Sequence, residues 1–178
     1  MAFIRVKTIP TKKGSKYQYA YLVNNRYSRK TKKVCQKVIS YLGRVYRFPK
    51  VIDTNTNPAP NPGVSELGEK PFPEMLAGLF QQELANHGFR QAGDEWSNEG
   101  LLIRFEEKTM VFSRGKRPLN AVIMMNEGFF CKNTHDALMH FKGTGTEADI
   151  GSQLANALLG AGLKVSNELF VALVEKFI

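Results

Sequence analysis

Residues 16–42 read KYQYAYLVNNRYSRKTKKVCQKVISYL. Apolar or aromatic residues recur at every second position in both halves of this stretch, and a polar, basic segment at 24–31 separates the halves. Such alternation is typical of β-strands. It predicts strands over 16–23 and 33–42, and the same alternation predicts an earlier strand over 2–9. These segments together predict a small three-stranded antiparallel sheet with a projecting basic loop.

The charge of the chain is divided sharply. The first fifty-two residues contain fourteen Lys or Arg and no acid, and Asp53 is the first carboxylate. The remainder holds the other 11 of the 25 basic residues and all 16 acidic ones, so the two segments carry +14 and −5. This division predicts two units, of which the basic one meets a polyanion. Nucleic acid is the first candidate, because each Lys or Arg that displaces a counterion from a phosphate adds affinity. A solvated basic ribbon without a partner is the alternative.

Length and composition indicate a globular chain of one or two domains, since it has 178 residues of which 43 % are hydrophobic. Residues 53–73 hold five of the eight prolines and predict a linker. The predicted domains are therefore a basic β module at 1–52 and a second domain at 74–178. There is no long apolar run and no secretory signal, so we expect no membrane association. Two widely separated cysteines predict free thiols in a reducing cytoplasm.

The second domain is predicted as α+β: a helix, an antiparallel meander and three further helices gathered on one face. An apolar stripe at helical spacing indicates the first helix, which ends before Gly88. Thr146 and Asp149 have the spacing of a capping box, and Ser166 precedes the last helix. That helix has an apolar stripe that needs a partner, so formation of a homo-oligomer through this domain is an open expectation. The strands of the meander are predicted at 101–105, 110–112, 121–125 and 128–131.

A row of tyrosines is predicted on one face of the basic sheet. Alternate side chains of a strand share a face at a spacing of about 7 Å, so Tyr17, Tyr19 and Tyr21 stand together. Rings next to cations suit unpaired bases, since stacking contributes about 1–3 kcal/mol per base. Two alternatives remain open: the sheet presses into a duplex groove, or the row covers the helices of the second domain.

Cations are expected to border the tyrosine row. Lys33, Lys37 and Tyr41 have the same parity on the third strand, and this places them on one face. The opposite face is predicted to hold a small core of Ile4, Val6, Ala20, Leu22, Val34, Val38 and Leu42. The residues predicted to bind nucleic acid are Arg5, Lys16, Tyr17, Tyr19, Tyr21, Arg26, Arg29, Lys30, Lys32, Lys33, Lys37 and Arg44.

A resemblance supports DNA in preference to RNA. The string YAYLVN from Tyr19, a polar gap, and KVCQKVISYLGR ending at Arg44 resemble the start of many insertion-sequence transposases. There, a YYYLV…G…RQ…LGK pattern precedes the catalytic domain. The segment is still more similar to a family of small uncharacterised archaeal proteins with the same opening and a YLGRVYR ending. The resemblance covers about the first forty-eight residues and implies a DNA-associated β module. The chain has no room after it for a catalytic domain of that type, so we expect binding and not transposition.

Catalytic chemistry has one weak candidate. Asp94, Glu106 and Lys108 combine carboxylates with a lysine, as in nucleases that hold Mg²⁺ and activate water. The segment around Glu106 also fits a charged hairpin turn between two strands. We therefore expect a non-enzymatic nucleic-acid-binding protein with no cofactor and no metal. The alternatives are a metal-dependent nuclease and a scaffold that binds an acidic protein partner. The histidines are expected at helix ends or on the surface: His87, His135 and His140.

Overall fold

The structure, a computed structural model, describes residues 2–10, 14–30, 32–51, 68–106 and 109–178. These residues form two five-stranded β-sheets and four α-helices, a mixed α+β arrangement. Most of the predicted linker at 53–73 lies outside them, and residues 68–71 lead directly into the first helix. Within these ranges, no helix is long and apolar enough to cross a membrane.

The elements are numbered in chain order. The strands are β1 (Ala2–Pro10), β2 (Lys16–Ser28), β3 (Lys33–Arg47), β4 (Arg90–Ala92), β5 (Glu95–Asn98), β6 (Leu101–Glu106), β7 (Thr109–Arg114), β8 (Arg117–Pro118), β9 (Ala121–Met125) and β10 (Gly128–Phe130). The helices are α1 (Phe72–Asn86), α2 (Lys132–Met139), α3 (Glu147–Ala161) and α4 (Asn167–Val174), and a 3₁₀ turn follows at Glu175–Phe177.

The predicted three-stranded antiparallel sheet is present, with longer strands than the alternation indicated. β1 pairs with β2, and β2 pairs with β3, both antiparallel. β2 continues to Ser28, so most of the segment predicted as a projecting loop at 24–31 is strand. β3 runs through Gly43 to Arg47. The loop prediction was wrong because polar side chains do not prevent a strand that is solvated on both faces.

The first sheet continues past the basic segment. Its strand order is β1-β2-β3-β9-β10, and β3 pairs with β9 in parallel, from Arg44 opposite Ala121 to Arg47 opposite Met124. Hydrogen bonding therefore crosses the boundary predicted from charge. The segments 121–125 and 128–131 belong to this sheet and not to the meander, which corrects that part of the prediction. β9 is an unbroken apolar run, typical of a strand buried on both faces, and periodicity does not identify the partner of such a strand.

The second sheet is an antiparallel meander, with strand order β4-β5-β6-β7-β8. β6 and β7 are the strands predicted at 101–105 and 110–112. They form the expected hairpin, in which Glu106 pairs with Thr109. β4, β5 and β8 were not predicted because they are short and carry little apolar periodicity.

The main core lies between the second sheet, the four helices and one face of β9. The predicted apolar stripe of α1 is buried in it: Met75, Leu76, Leu79, Phe80 and Leu84. The predicted caps of α3 and α4 are also confirmed. The Thr146 side chain accepts a hydrogen bond from the Asp149 N–H, and Ser166 does the same for Leu169. These contacts satisfy backbone donors that a helix start otherwise leaves unpaired.

A second, smaller core lies on the other face of the first sheet. Its buried members are Ala20, Val45, Val122 and Cys131, with Ile4, Val6 and Leu42 packed against them. Two residues predicted for this core are instead on the surface: Val34 is 63 % exposed and Val38 is 46 % exposed. Val38 lies opposite Val23 and Val34 lies opposite Tyr27, so the register puts both side chains on the face of the sheet away from this core. The small core contains residues from both charge segments and holds the sheet together at their junction.

Candidate nucleic-acid interface

The tyrosine row is brought next to cations by the strand register. On β1, Arg5 lies opposite Tyr21 and Lys7 lies opposite Tyr19. On β3, Arg44 lies opposite Tyr19, and Tyr41 lies opposite Tyr21. Directly paired residues share one face of a sheet. We call this surface the tyrosine face, and it comprises Arg5, Lys7, Tyr17, Tyr19, Tyr21, Tyr41 and Arg44.

Tyr41 lies at the centre of the aromatic contacts on this face. Its ring centroid is 6.3 Å from that of Tyr19 and 5.5 Å from that of Tyr21, both at tilted angles. The Arg44 guanidinium carbon lies 3.9 Å from the centroid of the Tyr17 ring. The Lys7 Nζ lies 5.3 Å from the centroid of the Tyr21 ring. These distances are in the range of favourable aromatic and cation–π pairs, so the rings and cations form one connected cluster.

The cluster combines partial burial with access. Tyr41 is 46 % exposed, and the other three rings are half-buried. Desolvation, followed by the neighbouring hydroxyls of Tyr19 and Tyr21, raises the pKa of Tyr41 above its ordinary value. The Tyr41 hydroxyl therefore stays protonated at neutral pH, where it is a neutral hydrogen-bond donor.

The sequence left open that the tyrosine row covers the helices of the second domain, but the tyrosine that contacts the folded core is a different one. Among the tyrosines that the structure describes, Tyr46 is the one packed against the main core. Tyr46 follows Arg44 on β3. The Arg44 guanidinium carbon lies 5.2 Å from the centroid of the Tyr46 ring. β3 thus packs against the main core at Tyr46, beyond the tyrosine face, whereas Tyr41 on that face is open to solvent.

Two β-bulges change which residues of β3 share a face. Tyr41 lies opposite Tyr21, whereas Lys37 lies opposite Asn24 and therefore on the other face, together with Lys33. The predicted common face for Lys33, Lys37 and Tyr41 is wrong. An extra residue in one strand inverts the alternation of everything beyond it, and simple parity counting does not detect it.

The far ends of β2 and β3 form a two-stranded ribbon. The pairing of β1 with β2 ends at Ala2 opposite Asn24, but β2 and β3 continue from Asn25 opposite Gln36 to Ser28 opposite Lys33. We call residues 25–30 and 32–37 the basic ribbon. Six predicted binding residues lie on it, and all six are exposed: Arg26, Arg29, Lys30, Lys32, Lys33 and Lys37.

Most predicted binding residues therefore divide between two surfaces. Arg5, Arg44 and the tyrosine row lie on the tyrosine face, and six cations lie on the basic ribbon. Lys16 belongs to neither, since it lies opposite Pro10 at the start of β2. The prediction omitted Lys7 and Tyr41. Lys7 could have been found from its two-residue spacing from Arg5, and Tyr41 had been placed beside the row by parity without being counted among the binding residues.

The basic segment makes few internal charge pairs. It contains no acidic residue up to Asp53, and the Arg5 guanidinium donates a hydrogen bond to the neutral Gln36 side chain. Within the described ranges, its one ion pair joins Lys50 to Glu83 on α1, with 3.6 Å between the Nζ and Oε2 atoms. In the part of the chain that the structure describes, the cations of the tyrosine face and the basic ribbon thus have no carboxylate partner.

The end of the basic segment is attached to α1. His87 caps the C-terminal end of this helix, at the helix end where it was expected, but it is buried. Its Nδ1 lies 2.7 Å from the Phe48 carbonyl oxygen, and the Val51 N–H donates to the Asn86 carbonyl. His135 is also buried, which corrects the expectation of a surface position. Both histidines make contacts within the fold, His87 with the Phe48 carbonyl and His135 with the Asp136 side chain.

The nuclease alternative concerns two carboxylates of the second sheet, Asp94 and Glu106. Asp94 lies in the turn between β4 and β5, and Glu106 is the last residue of β6. Glu95 pairs with Arg104, so both carboxylates lie at the same end of the second sheet. Lys108 lies outside the described residues. The described part of the chain holds no group of three His, Cys, Asp or Glu able to bind a metal, and the nuclease interpretation stays a prediction.

Comparisons with models of known protein families, with curated proteins and with solved structures found no match for this chain. The resemblance to transposase openings therefore rests on the residues between Tyr19 and Arg44 alone and stays a prediction.

Proposed function

We propose that this protein binds nucleic acid through the tyrosine face and the basic ribbon of its first sheet, and that DNA is preferred to RNA. The observation that carries the proposal is the cluster of Tyr17, Tyr19, Tyr21 and Tyr41 with Arg44 and Lys7 on a partly open sheet face. Aromatic rings beside cations are the arrangement that binds stacked bases and their phosphates together.

Charge supports the same ligand. The first fifty-two residues carry fourteen cations and no acid, so their surface attracts a polyanion wherever it is solvated. Each phosphate neutralised by Lys or Arg releases condensed counterions, which adds affinity that does not depend on base sequence. The six exposed cations of the basic ribbon are placed to make such contacts.

The shape of the basic ribbon favours DNA. A two-stranded β-ribbon fits the major groove of B-form DNA, which is about 12 Å wide. The major groove of an A-form RNA helix is deep and narrow, and side chains do not read it. A ribbon that projects beyond β1 can enter the first groove and not the second.

The proposal is tested by titrating the full chain against matched single- and double-stranded DNA and RNA at two salt concentrations. We expect binding that weakens with salt, with a log–log slope of roughly −0.7 to −0.9 per phosphate contact. Arg29→Ala should reduce the magnitude of that slope by about one contact. Lys164→Ala is the matched control, since this exposed lysine lies between α3 and α4, outside the basic segment.

Two results would contradict the proposal. The first is absence of binding to all four nucleic acids at low salt. The second is binding that does not respond to salt, because contacts to phosphates require counterion release. Capture of an acidic protein by the basic segment, with no binding of nucleic acid, would instead support the scaffold alternative.

A further inference from the structure

Two surfaces of different chemistry lie along the same pair of strands. On β2, the tyrosine face occupies residues 17–21, and the basic ribbon begins at Asn25. The tyrosine face is rich in rings and has cations at its margins. The basic ribbon carries six exposed cations and a single ring, that of Tyr27. A single ligand that contacts both surfaces is therefore expected to have two segments of different structure, one for each surface.

The tyrosine face suits unpaired bases. It belongs to a sheet in which β2 has β1 on one side and β3 on the other, with β9 beyond. Four strands at about 4.8 Å spacing, with their side chains, are wider than a groove of about 12 Å. In a duplex, each base also hides its faces against its neighbours. Rings on a broad surface can therefore stack only on bases that have left the helix.

The basic ribbon suits a duplex. It consists of two strands, and side chains are exposed on both of its faces. Arg26 and Lys33 point to one face. Tyr27 and Val34, paired with each other on the opposite face, are 59 % and 63 % exposed. Cations can neutralise the phosphates that flank a groove, and apolar groups can contact thymine methyl groups inside it.

The separation of the two surfaces matches a continuous ligand. Tyr27, which lies on the same face of β2 as Tyr21, follows it by six strand residues, or about 20 Å. That length corresponds to about six base pairs along a duplex. A nucleic acid that spans this distance can place a paired segment on the basic ribbon while its unpaired continuation reaches the tyrosine face.

From this arrangement, and resting on the proposed function, we infer that the preferred ligand is a junction at which duplex DNA continues into a single strand. The basic ribbon holds the duplex and the tyrosine face holds the unpaired bases. Once one part is bound, the other is held at high effective concentration, so the joined ligand binds more tightly than either part.

The test uses the full chain and three fluorescent DNAs: a duplex, a single strand, and the same duplex carrying that strand as an overhang. Anisotropy titrations at one salt concentration give the three affinities. We expect the overhang ligand to bind about 10-fold or more tightly than the better of its two parts. This comparison needs no variant and does not depend on the folding of a mutant.

Variants then assign each part of the ligand to its surface. Tyr41→Leu should weaken single-strand binding roughly 5- to 150-fold, the loss of one stacked base, with a much smaller effect on the duplex. Tyr41→Phe keeps the ring and should restore stacking. Arg29→Ala combined with Lys30→Ala should weaken duplex binding more than single-strand binding. Lys142→Ala combined with Lys164→Ala removes two exposed cations elsewhere and is the matched control.

The possible results distinguish failure of the inferred junction preference from failure of the proposed nucleic-acid binding. An overhang ligand that binds within about two-fold of its better part overturns the junction and leaves nucleic-acid binding intact. Equal weakening of all three ligands by both sets of variants also overturns it, because that result means one shared surface. Failure of all three DNAs to bind at low salt overturns the proposed function itself.

Discussion

His135 shows how burial sets the chemistry of a single residue. Its side chain is buried in the main core, with ring centroids 5.4 Å from Phe80 and 5.9 Å from Phe105. Desolvation lowers the pKa of the imidazole, and the contact with Asp136, at 3.3 Å between Nδ1 and Oδ1, acts in the opposite direction. The folded chain therefore takes up this proton less readily than the unfolded chain does.

The consequence is a pH-dependent stability. His135 favours the fold above the ordinary imidazole pKa of about 6.5, and this contribution is lost as the pH falls below that value. As the pH falls through this range, we expect His135 to lower the free energy of unfolding by at most about 1.4 kcal/mol per pH unit. Urea denaturation at several pH values measures the slope.

Two variants isolate the effect of His135. His135→Phe keeps an aromatic ring among its aromatic neighbours and should remove this part of the slope. His140→Gln changes an exposed histidine and should retain it. An unchanged pH dependence in His135→Phe would show that other groups cause it.

The tyrosine row was predictable because alternation determines which side chains of one uninterrupted strand share a face. Tyr41 and Lys37 were misplaced relative to each other, because a bulge adds a residue without altering the apolar pattern around it. Gly43 signals the other bulge, between Gly43 and Tyr41, since an isolated glycine within a strand pattern often marks a bulge or a close backbone approach. The bulge that separates Tyr41 from Lys37 lies between Ser40 and Val38, where the sequence holds no glycine.

At the scale of elements, Gly43 joins two strands that come from distant parts of the chain. Its φ is +138°, a conformation that other residues rarely adopt. A Cβ at this position would lie 2.3 Å from the Asn120 carbonyl oxygen, which accepts a hydrogen bond from the Arg44 N–H. The close approach of this backbone to the start of β9 therefore requires glycine.

We expect Gly43→Ala to lower the free energy of unfolding by about 3–5 kcal/mol, since backbone strain and a clash with main-chain atoms add together. Gly115→Ala is the matched control. Gly115 also has a positive φ, of +59°, but a Cβ there would meet nothing within 4 Å, so strain of about 1–2 kcal/mol is the whole cost. Equilibrium urea denaturation compares the two variants. Equal losses would mean that contact with Asn120 is unimportant.

β9 was correctly predicted as a strand but was assigned to the wrong sheet, because its neighbour comes from a distant part of the chain. Its apolar run AVIMM identifies a strand buried on both faces. The identity of its neighbour depends on how the chain returns to β3 after more than seventy residues. Local patterns carry no information about that return, whereas helix caps such as Thr146 act within three residues and were predicted correctly.

At the scale of the whole molecule, charge and hydrogen bonding divide the chain differently. Charge separates residues 1–52 from the remainder. The folded structure joins the same segments through the pairing of β3 with β9, through the small core, and through the contact of His87 with the Phe48 carbonyl. Composition predicted that residues 1–52 carry the cationic surface, because charge is a property of the surface. It did not predict strand pairing, which buries neutral residues.

These contacts lead to a prediction about the autonomy of the second domain. Without residues 1–51, a fragment of residues 68–178 loses the strand that pairs with β9 and the Ala20 and Val45 side chains of the small core. An unpaired apolar strand edge promotes association with other chains. We expect the fragment to unfold at a lower urea concentration than the full chain and to scatter light increasingly with protein concentration. Adding a peptide of residues 1–51 should reverse both effects.

A fragment that stays monomeric and has the same midpoint of unfolding as the full chain would contradict this expectation. It would establish two autonomous domains, as the charge division predicts.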